Sequence, residues 1–437
     1  MSLLLRLPPE VFTAVATYLP INELARLSEV CRIYDGIVQT WMSRNTHPLH
    51  NLFTCSGYYW FRTDGVFYTK TFENIHRLDA GVRLRGTSSF AACLADDTDD
   101  VEALALPGAA ANNLMGRTHC LTAVVGRTIY RFGGRTMTHE NRLKSCFCVD
   151  PLARTISPLP PLTGKRSAAA GAAVGSRVFI MGGYDGASEL NTMEVFDTTK
   201  KEWMMWDGSV WTNPGDTHAR PDDDGATAAA VASVTRTQVM PFSICEHSAT
   251  AVGDRFVMIL GGCERRGRPD ERSVASVWLL DTRGNKWMRL SDMPSDRILG
   301  CAVYREFLSA DGAVRHLVLF YGGESLNPDE ESEQSATFVL TWQTTSRHRS
   351  GEERDKEFLT AVSNAQWEVS SIAGGRTVMN SIALLTNTST MTTSPPEAQV
   401  CVVDEHLGLK ICDHSWTVVS QNLVGNNGHI SAVCRIS

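Results

Sequence analysis

Few residues of this chain have types and spacing that could support catalysis or metal binding. Cys146 and Cys148 lie two residues apart, so on a strand both thiols would share one face and could contribute to a metal site. No CxxC pair occurs, and buried structural thiols are the more common interpretation. No Ser-His-Asp arrangement and no GxxxxGK(S/T) loop stands out. The sequence therefore predicts a protein with no catalytic residues, no metal and no cofactor.

Two histidines recur near the start of a repeat. His119 and His247 are expected at matching places in two repeats, because each lies the same distance before a pair of glycines. A polar residue that packs the seam between two repeats is the ordinary interpretation of such a position. We therefore expect a structural role for both histidines.

Residues that could contact a partner recur around the glycine pairs. One group directly follows each pair, and a group of arginines precedes the first strand of a repeat. Loops on one face of a rigid scaffold commonly carry binding residues, and arginine and tyrosine are favoured as hot spots. Taken singly, each is more often a solvated residue or one that bridges two repeats. The candidates are Arg117, Arg135, Arg166, Tyr184, Asp185, Glu264, Arg265, Arg297, Glu324 and Arg376.

The elements that would position these residues are repeats in which a short apolar run ends in two glycines. The four runs are residues 129–134, 178–183, 256–262 and 317–323. A glycine pair adopts backbone angles that other residues avoid and lets a neighbouring backbone pack closely. An apolar stretch with Asp or Trp follows some of these runs, and we expect structural roles for Trp203, Trp287 and Trp416.

The spacing of the repeats predicts a ring with insertions. The first glycines are 49, 79 and 61 residues apart, which fits four-strand units of about fifty residues. A lone strand at 428–437 could pair with the first repeat and remove the open seam of the ring. The clearest repeats are 117–162, 166–210, 246–293 and 297–370, and degenerate ones are 52–107 and 376–421. Insertions are expected at 206–242, 324–334 and 344–356, where we expect specificity to lie.

Residues 1–46 differ from the rest and predict three short amphipathic helices. Pro8 and Pro9 fit the start of a helix, Pro20 ends it, and Asn22 could cap the second helix. Three short helices bury little apolar surface among themselves. We therefore expect part of their apolar surface to dock on a partner.

Composition and charge narrow the class of protein. The chain has 437 residues, which suggests two or three domains, with 43% hydrophobic and 20% charged residues, as in folded soluble proteins. A net charge of -7 without a basic stripe argues against nucleic-acid binding. No apolar run reaches the ~18 residues of a membrane span. The apolar run at the amino terminus has only three leucines before Arg6, which is too short for the core of a signal peptide. The twelve unpatterned cysteines indicate a reducing compartment, cytoplasmic or nuclear.

Two family resemblances follow from these residues. Residues 1–46 resemble an F-box, through the runs Leu7-Pro8-Pro9-Glu10-Val11 and Val30-Cys31-Arg32. Tyr34 stands where that family usually has Trp. Residues 50–437 resemble a kelch-repeat propeller, through the glycine pairs, the run Tyr184-Asp185-Gly186 and the tryptophans. The resemblance implies a mainly β fold, a kelch-type β-propeller of about six blades preceded by a small three-helix F-box.

The two resemblances together imply a function. They imply a non-catalytic substrate receptor of an SCF-type ubiquitin ligase, whose F-box docks on the Skp-type adaptor of a cullin complex while the propeller binds an unknown protein. A protein-interaction scaffold without a ligase role is the alternative. Kelch-type propellers also include copper oxidases and iron-dependent specifier proteins, but the specifier pattern of Glu, Asp and His is absent from this sequence. The resemblance assigns adaptor binding to Leu7, Pro8, Glu10, Val11, Leu24, Leu27, Val30 and Cys31.

Overall fold

A computed structural model of the chain describes most of the region with repeats. The described residues are 52–63, 66–77, 117–126, 128–136, 142–150, 155–214, 235–308, 313–327, 336–345, 351–373, 377–384, 400–404, 409–413, 415–420 and 428–435. The predicted F-box and its adaptor-binding residues lie outside this part of the chain. Arg376 lies outside it as well.

The described elements are short strands and one helix. The first half of the chain contains β1 (Leu52–Thr63), β2 (Val66–Arg77), β3 (Arg117–Thr118), β4 (Leu121–Val125), β5 (Thr128–Phe132), β6 (Arg135–Thr136), β7 (Cys146–Asp150), β8 (Thr155–Leu159), β9 (Ala170–Val174), β10 (Arg177–Met181), β11 (Thr192–Asp197), β12 (Glu202–Trp203), β13 (Met205–Trp206) and β14 (Trp211–Thr212).

The second half continues the same pattern until a helix interrupts it. It contains β15 (Gln238–Val239), β16 (Ser248–Val252), β17 (Phe256–Leu260), β18 (Cys263–Glu264), β19 (Arg272–Ser273), β20 (Val277–Asp281), β21 (Lys286–Arg289), β22 (Cys301–Leu308), β23 (Val314–Tyr321), β24 (Ala336–Thr344), α1 (Gly351–Ser363), β25 (Trp367–Ala373), β26 (Thr377–Leu384), β27 (Val400–Asp404), β28 (Leu409–Asp413), β29 (Ser415–Ser420) and β30 (Gly428–Arg435).

Six antiparallel sheets share one plan. In each sheet, the main strands lie side by side in the order in which they follow one another along the chain. Sheet I also includes β30, the last described strand. In order across each sheet they are sheet I (β30-β1-β2), sheet II (β4-β5-β7-β8), sheet III (β9-β10-β11-β12), sheet IV (β16-β17-β20-β21), sheet V (β22-β23-β24-β25) and sheet VI (β26-β27-β28-β29). The fold is therefore mainly β, and its repeated sheets fit a propeller.

The first strand in the order of each sheet, which we call the inner strand, contacts the inner strand of the next sheet. The contacts run from β4 to β9, β16, β22, β26 and β30, and then from β30 back to β4. β30 also pairs with β1, from Leu52 opposite Arg435 to Tyr59 opposite Gly428. The last strand of the chain therefore lies between the first β region and the sheets that follow.

The apolar core lies between neighbouring sheets. All five residues of β17 are buried, because both faces of the sheet are covered, and its sequence is a continuous apolar run. Between sheets II and III, Phe132 and Phe196 pack at 5.6 Å, and Phe196 and Trp203 at 5.0 Å. The indole nitrogen of Trp203 also donates to the carbonyl of Pro160 at 2.9 Å. The expected structural role of Trp203 agrees with this packing.

Three glycine pairs fasten sheets II, III and IV, each to the sheet that follows it. The second glycine of a pair donates its N–H to a carbonyl four residues before the next inner strand. The three bonds run from Gly134 to Arg166 at 2.8 Å, from Gly183 to Ile244 at 2.8 Å and from Gly262 to Arg297 at 2.7 Å. All these glycines have positive φ, and a Cβ on Gly261 would lie 2.4 Å from the Arg297 oxygen. Only glycine allows this approach.

Two of the predicted insertions carry structure of their own. In the insertion 206–242, β15 pairs with β11 and adds a strand to sheet III. The insertion predicted at 344–356 contains the beginning of α1, a helix that the sequence analysis did not predict. Phe358 of α1 stacks on Phe256 of sheet IV at 4.9 Å. Among the described residues, no helix is long and apolar enough to cross a bilayer.

Replacing a glycine of the fastening pairs is expected to destabilise the fold. In Gly261→Ala, the new Cβ would clash with the Arg297 oxygen and the backbone would be held at a φ of 60°. Gly253→Ala is the matched control, because Gly253 has a φ of 64° but nothing within 4 Å of its Cβ position. We expect a loss of about 1 kcal/mol in the control and at least ~2 kcal/mol more in Gly261→Ala. Urea unfolding measures both, and equal losses would contradict the clash.

Candidate functional site

In sheets II to V, the residue after the glycine pair occupies an equivalent place in each sheet. The residue after each glycine pair forms an antiparallel bridge with the residue three positions before the inner strand of its own sheet. The pairs are Arg135 with Thr118, Tyr184 with Ser167, Cys263 with Cys245, and Glu324 with Ile298. We call the edge formed by these eight residues and their sequence neighbours the loop edge.

A second set of backbone hydrogen bonds links successive sheets along the loop edge. His119, Ala168, Glu246 and Leu299 each lie two residues before an inner strand, and their φ values are 54°, 52°, 55° and 58°. Ala168 donates its N–H to the His119 carbonyl, Glu246 to Ala168, and Leu299 to Glu246, each at 2.9 Å. Because left-handed backbone is unfavourable for residues other than glycine, these repeated bonds must hold it in place.

This pattern corrects the expected alignment of the two histidines. His119 matches Glu246 in position, whereas His247 lies one residue later, directly before its inner strand. The physical reason is the hairpin turn after the inner strand. The turn between β4 and β5 has two residues, and the turn between β16 and β17 has three, so equal distances from the glycine pairs give unequal places in the fold.

His247 packs at the seam between sheets III and IV, as a structural role requires. A Cβ added to Gly182 or Gly262 would lie 3.0 Å or 2.8 Å from its side chain. The imidazole is 1% exposed, and neither ring nitrogen has a hydrogen-bond partner within the described part of the chain. Burial lowers the pKa of His247 to about 3, so the ring is neutral at pH 7.

Tyr184 and Asp185 are partly exposed at the loop edge. The guanidinium of Arg142 lies 5.1 Å from the centre of the Tyr184 ring, which joins the loops of sheets II and III by a cation–π contact. The Asp185 carboxylate accepts the N–H groups of Ala187 and Ser188 at 2.7 and 2.8 Å. Asp185 therefore shapes a turn, and Tyr184 is partly exposed beside it.

Glu264 and Arg265 belong to a charged loop between β18 and β19. Their side chains pair within the loop, Glu264 with Arg272 at 2.7 Å and Arg265 with Asp270. Both arginines are more than half exposed. Exposed pairs of this kind contribute little to stability, so these guanidinium groups remain available to a partner.

Arg266 connects the charged loop to a buried carboxylate. Its guanidinium contacts Glu246 at 2.7 Å and Glu271 at 3.1 Å. Burial raises the pKa of Glu246, and the positive charge of Arg266 opposes that rise. The base of the loop is therefore held by a largely buried ion pair, while its tip is solvated.

Arg166 and Arg297 are buried. The prediction that a set of arginines surrounds one face of the fold is therefore wrong at these two positions. Arg166 bonds the Gly182 and Thr192 carbonyls, each at 3.1 Å, and the carboxylate of Glu194 at 2.9 Å. Burial lowers the pKa of Arg166, and Glu194 opposes this effect. Arg297 is 1% exposed and lies 5.1 Å from the Phe338 ring centre. Both side chains are buried within their own repeats, so neither is the solvated residue that the sequence analysis gave as one alternative.

The remaining candidates are more accessible, or their side chains are not described. Arg135 and Glu324 are partly exposed at the bridge positions of sheets II and V. Arg117 lies on β3, paired opposite Thr136. The bridge position of sheet IV is held by Cys263, which is fully buried and which the sequence analysis passed over in favour of its two neighbours.

Sequence reasoning also missed the ion cluster around Glu194. The Glu194 carboxylate is fully buried. It forms ion pairs with Arg166 and, at 2.7 Å, with Arg236, and it accepts hydrogen bonds from the N–H and the hydroxyl of Thr163 at 3.1 and 2.9 Å. Arg236 in turn lies 4.2 Å from the centre of the Trp203 ring. The available signal was the carboxylate of Glu194 between the apolar residues Met193 and Val195 of β11.

The cysteines agree with the structural interpretation. Cys146 and Cys148 are both buried in the core cluster between sheets II and III, as the alternation of a strand predicts. Within the described residues, no group of three or more His, Cys, Asp or Glu side chains could hold a metal ion. The accessible chemistry of the loop edge is that of contacts, through guanidinium, carboxylate and tyrosine groups.

The buried ion pair supports a test of structural role. Arg166→Met leaves the buried Glu194 with one arginine instead of two and should lower the free energy of unfolding by ~3 kcal/mol. Arg272→Met is the matched control, because Arg272 is 63% exposed and pairs only across the surface, so a loss below ~1 kcal/mol is expected. Similar losses in the two variants, measured by urea unfolding, would show that Arg166 is not a structural residue.

Burial of neutral His247 should make stability depend on pH. The unfolded chain binds a proton at this histidine below about pH 6.5, whereas the folded chain does so only near pH 3. Stability is therefore lost as pH falls from 6.5 towards 3, with a slope of up to ~1.4 kcal/mol per pH unit from this group. We expect His247→Leu to have a shallower slope between pH 7 and 5 in urea unfolding. An unchanged slope would argue against a neutral buried ring.

Comparison with known proteins agrees with the repeat structure. A family model for the Kelch motif matches residues 165–205 and 244–294, which contain sheets III and IV. Kelch-like protein 4 from Homo sapiens is 38% identical over 66 residues, 15% of this chain and 9% of that protein. A putative F-box/kelch-repeat protein from Arabidopsis thaliana is 34% identical over 85 residues, 19% of this chain and 22% of that protein. The chain thus contains Kelch repeats and spans less than a quarter of either relative.

Proposed function

We propose that this protein is a non-catalytic substrate-recognition adaptor of an SCF-type ubiquitin ligase. In this proposal, residues 1–46 dock on a Skp-type adaptor of a cullin complex, and the sheets bind a target protein. The observation that carries it is the set of apolar Leu-Pro helices predicted ahead of glycine-paired repeats. The F-box/kelch-repeat name of one relative supports the same order of domains.

We further propose that the six sheets form a closed six-bladed propeller. The run of contacts between inner strands, from β4 through β30 and back to β4, supports this arrangement. A closed ring has no free sheet edge around its axis and holds its loops rigidly. Such a ring suits a scaffold whose loops select a partner.

The loop edge is the surface that we propose for the target. Tyr184, Arg265 and Glu324 are partly or fully accessible there, and their backbones are fixed by bridges or by the neighbouring strands. Mixed charges with a tyrosine suit a polar protein surface. Which protein binds depends on the side chains of these loops rather than on the repeated sheets.

A protein-interaction scaffold without a ligase role is the second candidate. It would use the same surface, so the two functions differ only in whether a bound target changes its lifetime. Measuring the half-life of bound proteins after depletion of this chain separates them. Stable half-lives for every bound partner would favour the scaffold.

Adaptor docking is the first test of the proposed function. The full chain should co-purify with a Skp-type adaptor, and the double variant Leu7→Ala with Pro8→Ala should lose at least about tenfold in affinity, because buried apolar anchors supply most of the binding energy. Val369→Ala is the control, since Val369 is an apolar residue of sheet V that is 61% exposed. Absence of co-purification, or equal binding by the double variant, would exclude the adaptor role.

A further inference from the structure

Two cysteines lie opposite each other at the loop edge of sheet IV. Cys245 donates its N–H to the Cys263 carbonyl at 3.1 Å, and Cys263 donates its N–H to the Cys245 carbonyl at 2.7 Å. Reciprocal bonds of this kind define a directly opposed antiparallel pair, in which the Cα atoms lie about 5.5 Å apart and both side chains lie on the same face. Disulfides join Cα atoms that are about 4.4–6.8 Å apart. The backbone therefore holds these cysteines at a separation that a disulfide spans.

Both thiols lie in one small buried cluster, packed with Ala168, Ala170 and Ile298. The Cys245 sulfur lies 3.8 Å from the Cys263 carbonyl oxygen, so it stays close to the opposed residue. The pKa of the Cys245 thiol is raised, first by the neighbouring Cys263 thiol and then by burial. Cys245 is therefore protonated at pH 7, and it is not the thiol that meets an oxidant first.

Closing a disulfide across this bridge needs only a small approach of the two residues. The Cβ atoms of an opposed pair lie up to about 5.5 Å apart, whereas a disulfide places them about 3.5–4.5 Å apart. The bridge between Cys245 and Cys263 is isolated, so the approach does not have to shift a continuous ladder of paired residues. The remaining strain makes such a bond easy to reduce, which is typical of regulatory disulfides.

The charged loop between β18 and β19 separates the Cys263 thiol from solvent. The Cys263 sulfur lies 3.6 Å from a carboxylate oxygen of Glu271, whose side chain is partly exposed. Arg266 holds the loop down through its ion pairs with Glu246 and Glu271. Local opening of the loop is therefore infrequent, but it exposes Cys263 while the sheet stays folded. A small oxidant then reaches this thiol beside a carboxylate that can accept its proton.

We propose that Cys245 and Cys263 form a reversible disulfide when the chain meets a peroxide, and that this bond restrains the charged loop at the loop edge. The site is a covalent modification site of sheet IV, and its existence does not depend on the ligase role. It places redox control directly beneath exposed residues that the proposed target would contact.

The reaction balances with hydrogen peroxide as the oxidant. The Cys263 sulfur attacks one peroxide oxygen, so an S–O bond forms and the O–O bond breaks. The Cys263 proton passes to Glu271 and from there to the leaving hydroxide, which departs as water. The Cys245 sulfur then attacks the Cys263 sulfur, so the S–S bond forms, the S–O bond breaks, and the Cys245 proton leaves with the hydroxide as a second water. Two thiols are oxidised to one disulfide, and the peroxide is reduced to two waters.

Other buried cysteines provide internal controls for this geometry. Cys146 and Cys148 lie two residues apart on β7, so their Cβ atoms are about 6.7 Å apart and do not face each other across a bridge. Cys301 lies opposite Tyr321 rather than opposite a cysteine. The structure therefore predicts that peroxide joins Cys245 to Cys263 in preference to these thiols.

The test uses the purified full chain, reduced and then treated with hydrogen peroxide. After the remaining thiols are alkylated, mass spectrometry should find the tryptic peptides 237–255 and 256–265 joined, because each contains one of the two cysteines and trypsin cuts after Arg255. Dithiothreitol should separate the peptides. The joined form should be several-fold more abundant than any link that involves Cys146, Cys148 or Cys301. Amide hydrogen exchange at residues 264–272 should be slower in the disulfide form.

Two variants and an unfolded sample make the outcomes decisive. Cys245→Ala should abolish the link, and the matched control Cys301→Ala should keep it. No link in the folded chain, or a link that is equally abundant when peroxide is added in urea, overturns the site. Unchanged hydrogen exchange in the disulfide form overturns the restraint on the loop. None of these measurements involves the Skp-type adaptor, so failure here is distinguishable from failure of the proposed function.

Discussion

The arrangement of sheets II to V depends on the hydrogen bonds from three glycine pairs to the loops of the following sheets. The N–H of the second glycine reaches a carbonyl four residues before the next inner strand at 2.7–2.8 Å. A side chain on the first glycine would occupy the same space as that carbonyl, as at Gly133, Gly182 and Gly261. The bond therefore holds neighbouring sheets at close distance, and apolar side chains pack between them.

This constraint also explains why the loop edge is rigid. The carbonyls that accept the glycine bonds lie in the same short segments as the left-handed residues Ala168, Glu246 and Leu299. Each segment is held by hydrogen bonds from the preceding sheet and by the bridge to the residue that follows the glycine pair of its own sheet. Side chains just beyond these bonds, such as Tyr184, are presented on a fixed backbone, which reduces the entropy lost on binding.

Burial decides which polar residues are structural. The side chains of Arg166, in the segment before β9, and of Glu194, on β11, are buried and pair at 2.9 Å, so neither can serve as a surface contact. Arg265 has the same chemistry but lies on a loop tip that is half exposed. Arg166 and Arg265 are the same type of residue, so only their positions relative to the sheet distinguish them.

The sequence alone determined the repeat, its glycine pairs and the apolar runs, because strand alternation and glycine conformation are local properties. It also indicated where insertions lie, because extra residues lengthen the spacing between the glycine pairs of neighbouring repeats. It could not place His119 and His247 correctly, because one added turn residue changes the register without changing the spacing. It missed α1, whose apolar side, with Phe358 and Val362, is masked by a charged first turn. Which arginines are buried emerges only from the folded structure, because burial depends on neighbours distant in sequence.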